Sequence, residues 1–154
     1  MDPYELKLTD YIKYHRIQAE LLRFDQSCHS VAEAAQAVGT SPENLVKNIC
    51  LVERENNLIV AIVKGEDKVD PSAIGTILNI KPPRTATPAE ILEKTGYPCG
   101  GVPSFGYSAR FLIDPKVLEK EFVYTGGGSP TALVKIATTE LIKANQGEIV
   151  KIRR

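Results

Sequence analysis

The chain has no tryptophan, a single methionine and only two histidines in 154 residues, and each scarcity removes a class of chemistry. With His15 and His29 as the only imidazoles, a multi-histidine metal centre has no ligands to draw on. His29 stands beside Ser30, but adjacency in sequence does not place a ring nitrogen on the neighbouring hydroxyl, and Ser30 is accounted for as a helix cap. A catalytic triad is not indicated. Cys28, Cys50 and Cys99 are odd in number and widely spaced, with no C-x-x-C pair. That excludes a disulfide framework and a zinc site and fits a reducing cytoplasm as the expected location. Lysine plus arginine equal aspartate plus glutamate at 19 each, so no global field draws the chain to nucleic acid, and any such contact must be local. No run of about eighteen apolar residues occurs and the start, MDPYELKL, has no apolar segment, so neither a membrane span nor a signal peptide is expected. At 43% hydrophobic and 25% charged, the composition is that of one ordinary folded domain.

Glycine and proline, by contrast, are concentrated. Thr95 to Gly106 reads TGYPCGGVPSFG, with four glycines and two prolines in twelve positions. Alternating the two makes a loop that is bent and stiff, with backbone as its working surface. The N–H groups of Gly100 and Gly101 are candidate donors to a carbonyl oxygen or a phosphate. The plainer reading, which composition alone favours, is a tight connection between strands. Cys99, with no cation nearby in sequence, reads as a small apolar filler. The acidic KGEDKVD segment around Glu66, Asp67 and Asp70 is interleaved with lysines and reads as a solvated turn rather than a metal site.

A capping residue precedes proline at Asp2, Ser41, Asp70, Thr87 and Asp114, which marks helix or turn starts. Helices are predicted from Asp2-Pro3 to Tyr14, from Ser30 to Gly39, from Asp70-Pro71 to Leu78 and over Pro88 to Lys94, with a last one capped by Thr138 or Thr139 and ending near Gly147. Strands are predicted over Ala19–Phe24, Ile49–Val52, Leu58–Val63, Phe111–Ile113, Phe122–Thr125, Leu133–Ile136 and Glu148–Ile152. The second and third form a hairpin, and LIVAIV, apolar on both faces, must be central. Lys47 falls at a helix-to-strand junction amid apolar residues, where it either snorkels to water or is aimed at an anionic or carbonyl group.

Three motifs taken together resemble a known family. Asn44-Leu45-Val46-Lys47-Asn48 before an apolar strand, Thr95-Gly96-Tyr97 followed by Gly100-Gly101-Val102-Pro103-Ser104-Phe105-Gly106, and Gly126-Gly127-Gly128-Ser129 follow one another as in the YbaK family of aminoacyl-tRNA deacylases. The resemblance covers nearly the whole chain. It implies a mixed α+β fold over residues 1–154, with a mostly antiparallel sheet curled into a barrel-like core and flanked by helices, and it implies no metal and no cofactor. The implied reaction is hydrolysis of the ester of mischarged tRNA, with tRNA for proline as one candidate substrate and an aminoacyl-tRNA synthetase as a further partner. By the same resemblance Lys47 holds the substrate without acting as a nucleophile, Asn48 supports it, and the Gly100 and Gly101 backbone contacts the aminoacyl carbonyl. Val31, Val102, Pro103, Ser104, Phe105, Gly106, Gly127, Gly128 and Ser129 are the implied binding residues, with Val102, Phe105 and Val31 as pocket walls. Lys81, Arg84, Lys151, Arg153 and Arg154 are candidate phosphate contacts. Two departures stand out: Ser104 where many relatives carry proline, and Thr131 and Ala132 where some carry Asp or His. These motivate an alternative from another class, a non-catalytic module that binds aminoacyl-tRNA ends or a synthetase.

Overall fold

A capping side chain one residue before proline fixes most helix starts in the computed structural model, which describes residues 1–154. Helix α1 spans Pro3–Tyr14 with the Glu5 N–H on Asp2 Oδ1 at 2.8 Å. Helix α2 spans Val31–Val38, opened by a reciprocal Ser30/Glu33 capping box and closed by left-handed Gly39. Helices α3, Pro71–Leu78, and α4, Pro88–Thr95, start from Asp70 and from a Thr87/Glu90 box. Two predicted caps do not form. Ser41 precedes the 3-10 turn Pro42–Asn44 without a side-chain bond to it. Helix α5, Thr138–Asn145, follows Ala137, and the Thr138 hydroxyl donates instead to the Lys120 carbonyl at 2.9 Å, tying the helix to the preceding turn.

The strands are β1 Ala19–Arg23, β2 Val46–Val52, β3 Leu58–Lys64, β4 Arg84–Thr85, β5 Arg110–Ile113, β6 Phe122–Gly126, β7 Ala132–Ala137 and β8 Glu148–Ile149. Strand β2 begins earlier than predicted, so Lys47 and Asn48 lie inside it, while β8 is cut short. The architecture is mixed and mostly antiparallel, but the strands do not close into a barrel. They form two sheets, β1-β7-β6 and β4-β2-β3-β5-β8, with β3 at the centre of the larger. Four pairings are antiparallel and two, β3 with β5 and β5 with β8, are parallel. One parallel backbone bridge, Leu45 to Tyr124, links the sheets. Strand β4 pairs only with Leu51 and Val52, and the Val46 end of β2 faces β6 across a seam.

The largest core lies between the sheets and takes Val60 and Ile62 of β3, Val134 and Ile136 of β7, Leu8 of α1 and Leu141 of α5. A second core on the opposite face of the larger sheet joins Ile59, Ala61 and Val63 to Ile74 of α3 and Ile152. A third seats α2 through Ala34 and Ala35 on Leu45 and Leu133. Alternation along β3 thus feeds two cores, as a strand apolar on both faces requires.

The C-terminal segment is held by a carboxylate and not by a long strand. Asp114, fully buried, accepts from the N–H groups of Lys116 at 3.0 Å and Ile152 at 3.0 Å and from Arg153 Nη1 at 2.6 Å. Burial alone would raise its pKa, but these hydrogen bonds and the Arg153 charge outweigh it and hold it below the usual carboxyl value. Because the native value is the lower one, this stabilisation is full above the unfolded-chain value of about 4 and is lost as pH falls below it. Asp114→Ala is expected to lose about 3 kcal/mol in urea unfolding at pH 7, with a smaller penalty near pH 3; equal penalties at both would contradict this account.

Candidate active site

The glycine-rich loop has few backbone partners of its own, so side chains from distant elements satisfy it. Asn48 Nδ2 donates to the Val102 carbonyl at 3.0 Å and to Thr125 Oγ1 at 2.8 Å. Ser104 Oγ donates to Asn48 Oδ1 at 2.6 Å and lies 2.7 Å from Thr125 Oγ1. Since the single Ser104 hydroxyl proton goes to Asn48, Thr125 is the donor in that last contact and the ring of hydrogen bonds closes. Asn145 Nδ2 to the Ser104 carbonyl at 3.0 Å, and the Tyr107 hydroxyl to the Pro103 carbonyl at 2.7 Å, complete the anchoring. The serine that departs from the implied family pattern is therefore a keystone of the loop.

The second glycine cluster lies directly against the first. Gly128 N–H donates to the Gly101 carbonyl at 2.7 Å, and a Cβ on Gly101 would fall 2.6 Å from the Gly128 carbonyl carbon. One on Gly126 would fall 2.0 Å from the Val102 carbonyl oxygen. Backbone packs on backbone here, which only glycine permits.

Beside this stack, at the seam between the sheets, is a cavity of about 170 Å3. Lys47, Asn48, Val31, Gly100 and Val102 line it, so the lysine and the loop meet at one hollow. Alternation sends consecutive side chains of β2 to opposite faces: Asn48 goes to the loop, Lys47 lies on the side of Ile49. Lys47 makes no ion pair within the protein, and burial holds its pKa below the usual lysine value, with Asp67 opposing and Lys68 reinforcing the shift. An incoming anion would relieve that cost.

The other implied residues are placed elsewhere. Gly101 lies behind the cavity wall and its N–H is committed to the Pro98 carbonyl at 2.9 Å, so the expected pair of adjacent donors is reduced. Gly100 and Val102 both line the cavity and their N–H groups have no acceptor in the protein, which makes them the alternative pair of donors. Phe105 is fully buried in the main core near Tyr11, at a centroid distance of 6.1 Å, and is not a wall. Its loop turns at Ser104, which directs the ring inward to seat α1. Pro103, Ser104 and Gly106 also lie off the cavity, with Gly106 beside Tyr11. Gly127 packs on the Ala132–Leu133 backbone and Gly128 on Tyr4. Ser129, 2% exposed, donates to Glu5 Oε2 at 3.0 Å, while Glu5 Oε1 accepts from Arg23 Nε at 2.9 Å. That cluster is a fastening of α1.

Sequence reading weighed His29 beside Ser30 and set it aside, and it missed Cys28, Ala34, Tyr124, Thr125 and Leu133, all of which line the cavity. None carries a local signal, because α2 and β6 reach the site only through tertiary packing. Cys99 is exposed on the rim and is not the apolar filler expected. Of the candidate phosphate contacts, Arg84 is bound to Glu90 by two 2.8 Å hydrogen bonds and Arg153 to Asp114, so both are spent inside the fold.

Comparison with known proteins places the chain in a family. The aminoacyl-tRNA editing domain family matches residues 25–144, and the chain belongs to that family. Among individual proteins, it is 24% identical over 135 residues to the uncharacterized protein YwhH of Bacillus subtilis, covering 86% of this chain and 85% of that one. It is 26% identical over 134 residues to the multifunctional Ser/Thr-tRNA deacylase ProXp-y of Escherichia coli strain K12, covering 82% and 78%. The crystal structure of a candidate trans-editing enzyme for prolyl-tRNA synthetase superposes with a TM-score of 0.92 at 25% identity, covering 100% of this chain and 99% of that one.

The polar ring yields a direct expectation. Thr125→Val, nearly isosteric, strands Asn48 Nδ2 and removes the donor to Ser104, and should cost about 1 to 3 kcal/mol in denaturant unfolding. Amide exchange at Gly100 and Val102 should accelerate with it; unchanged exchange would show that the ring does not hold the loop.

Proposed function

We propose that the chain is an aminoacyl-tRNA deacylase that hydrolyses the ester of mischarged tRNA in trans, acting as one editing domain over residues 1–154. The observation that carries this reading is that Lys47 lines one small cavity together with Gly100 and Val102, whose N–H groups have no acceptor in the protein. Lys47, short of a counter-ion, holds a phosphate or carbonyl oxygen of the tRNA terminus and is not a covalent nucleophile. The loop N–H groups stabilise the charge that develops on the carbonyl oxygen as water attacks. Asn48 acts behind them, keeping the loop in place.

Cavity size bounds the amino acid. About 170 Å3 is close to the roughly 150 Å3 of a protein cavity that accommodates benzene, so small aminoacyl groups fit. Serine, threonine, alanine and proline are within that limit, and the Escherichia coli relative is named for the first two. Because one methylene discriminates by only about 1 to 3 kcal/mol, rejection of larger residues rests on the Val31 and Val102 walls. Mischarged tRNA, including tRNA for proline, and a synthetase that releases it are the proposed partners, and the cytoplasm the proposed compartment. No helix is long and apolar enough to cross a membrane. The reaction is metal-independent in this reading, and no group of three or more His, Cys, Asp or Glu side chains is arranged to hold an ion.

One observation favours the non-catalytic alternative: the Gly101 N–H, an expected donor, is already occupied. Deacylation assays on a panel of misacylated tRNAs separate the two. Turnover of small aminoacyl esters, unchanged by chelator, is expected, with Lys47→Met falling by about 100-fold in kcat/KM while unfolding at the same or higher denaturant. Tight binding of a non-hydrolysable aminoacyl-adenosine without turnover on any substrate would establish the binding module instead.

A further inference from the structure

His29 lines the cavity from the segment that precedes α2. Its imidazole lies directly on the Gly100 backbone: a Cβ placed on Gly100 would fall 2.1 Å from His29 Nδ1 and 2.5 Å from Cε1. Gly100 has φ +91°, so both its conformation and its neighbour demand glycine. The contact is with a cavity-lining residue whose N–H has no acceptor in the protein. Neither ring nitrogen has a hydrogen-bond partner in the protein, although the backbone on both sides is pinned. The Cys28 N–H is bonded to the Pro130 carbonyl, the His29 N–H to Ser27 Oγ at 3.2 Å, and Ser30 is locked in the α2 capping box. The titratable and charged groups facing it are Glu33 one turn into α2, Cys99 on the loop, Cys28 and, across the hollow, Lys47. No other imidazole is near, since His15 packs on Tyr11 at the end of α1.

Resting on the deacylase reading, we propose that His29 is the general base and acid of the reaction, a catalytic residue on the rim of the cavity beside Gly100. In the first step a water oxygen bonds to the carbonyl carbon while a free ring nitrogen of His29 takes the water's proton. The carbonyl π pair moves onto the oxygen, which the Gly100 N–H receives. In the second step the carbon–oxygen double bond re-forms, the bond to the ribose oxygen breaks, and His29 returns its proton to that oxygen. Amino acid and tRNA leave, and the imidazole is again neutral. This gives the site a proton carrier that the Ser30 hydroxyl, occupied as a cap, and the ammonium of Lys47 do not supply.

The test is kinetic. On the substrate that the unsubstituted protein hydrolyses fastest, His29→Ala should lower kcat about 100-fold with KM changed by less than about threefold, because general acid–base catalysis is worth about 100- to 10,000-fold. Free imidazole should restore a substantial part of the lost rate, whereas pyrazole, a ring of the same size but a far weaker base, should not. A kcat within about threefold of the native value overturns the proposal, as does a loss that neither ring relieves or that both relieve equally, since these assign His29 to packing against Gly100. Any of those outcomes leaves the deacylase reading intact. Absence of turnover by the unsubstituted protein on every ester overturns both.

Discussion

The hydrogen-bonded ring of Asn48, Ser104 and Thr125 is the constraint on which the site depends. Its members come from β2 of one sheet, β6 of the other and the loop between them, with 77 residues separating Asn48 from Thr125. The sheets share a single backbone bridge at Leu45 and Tyr124, so their relative position along the seam rests on this ring and on the core behind it. Buried polar groups are costly when unmet, and here each is met by another member. The result is a fully satisfied network that specifies one loop conformation, with the cavity on its open side.

Lys47 and Asn48 show how one strand divides labour. The asparagine faces inward and spends both N–H groups on architecture, leaving nothing for a ligand. Its neighbour, one pleat away, carries a charge that the fold does not neutralise. A partly buried, unpaired ammonium is a stability cost, and such costs are retained where a ligand removes them. Nearby Lys64, by contrast, is shared between Glu66 and Glu119, each at 3.7 Å, and is structural.

Local chemistry was legible and long-range chemistry was not. Asp2-Pro3, Asp70-Pro71 and Thr87-Pro88 announced α1, α3 and α4 because cap and proline act within one turn. Thr138 looked like another cap, yet its hydroxyl answers to Lys120, eighteen residues away in sequence. Within the loop, glycine spacing marked a backbone surface but could not say which N–H is free, since that depends on the turn closed by Pro98. Phe105 and Ser129 looked like pocket residues because they stand in the motifs; burial against α1 and the bond to Glu5 show them fastening the scaffold. The separation into two sheets, in place of a closed barrel, is a matter of long-range pairing, and the two-residue β4 was signalled by no hydrophobic pattern in the proline-rich connector.

The interlocked glycine turns also decide where this protein is free to change. With Gly101 against Gly128 and Gly126 against Val102, neither turn has space for a side chain unless the other withdraws. On the deacylase reading, drift in the range of accepted amino acids runs through the side chains that remain free to change, Val102 on the loop and Val31, Ala34 and Tyr124 on regular elements. The glycine backbone is frozen by geometry and those side chains are evolvable, so under that reading a lineage that accepts a new amino acid should record the event in them while the glycines stand still.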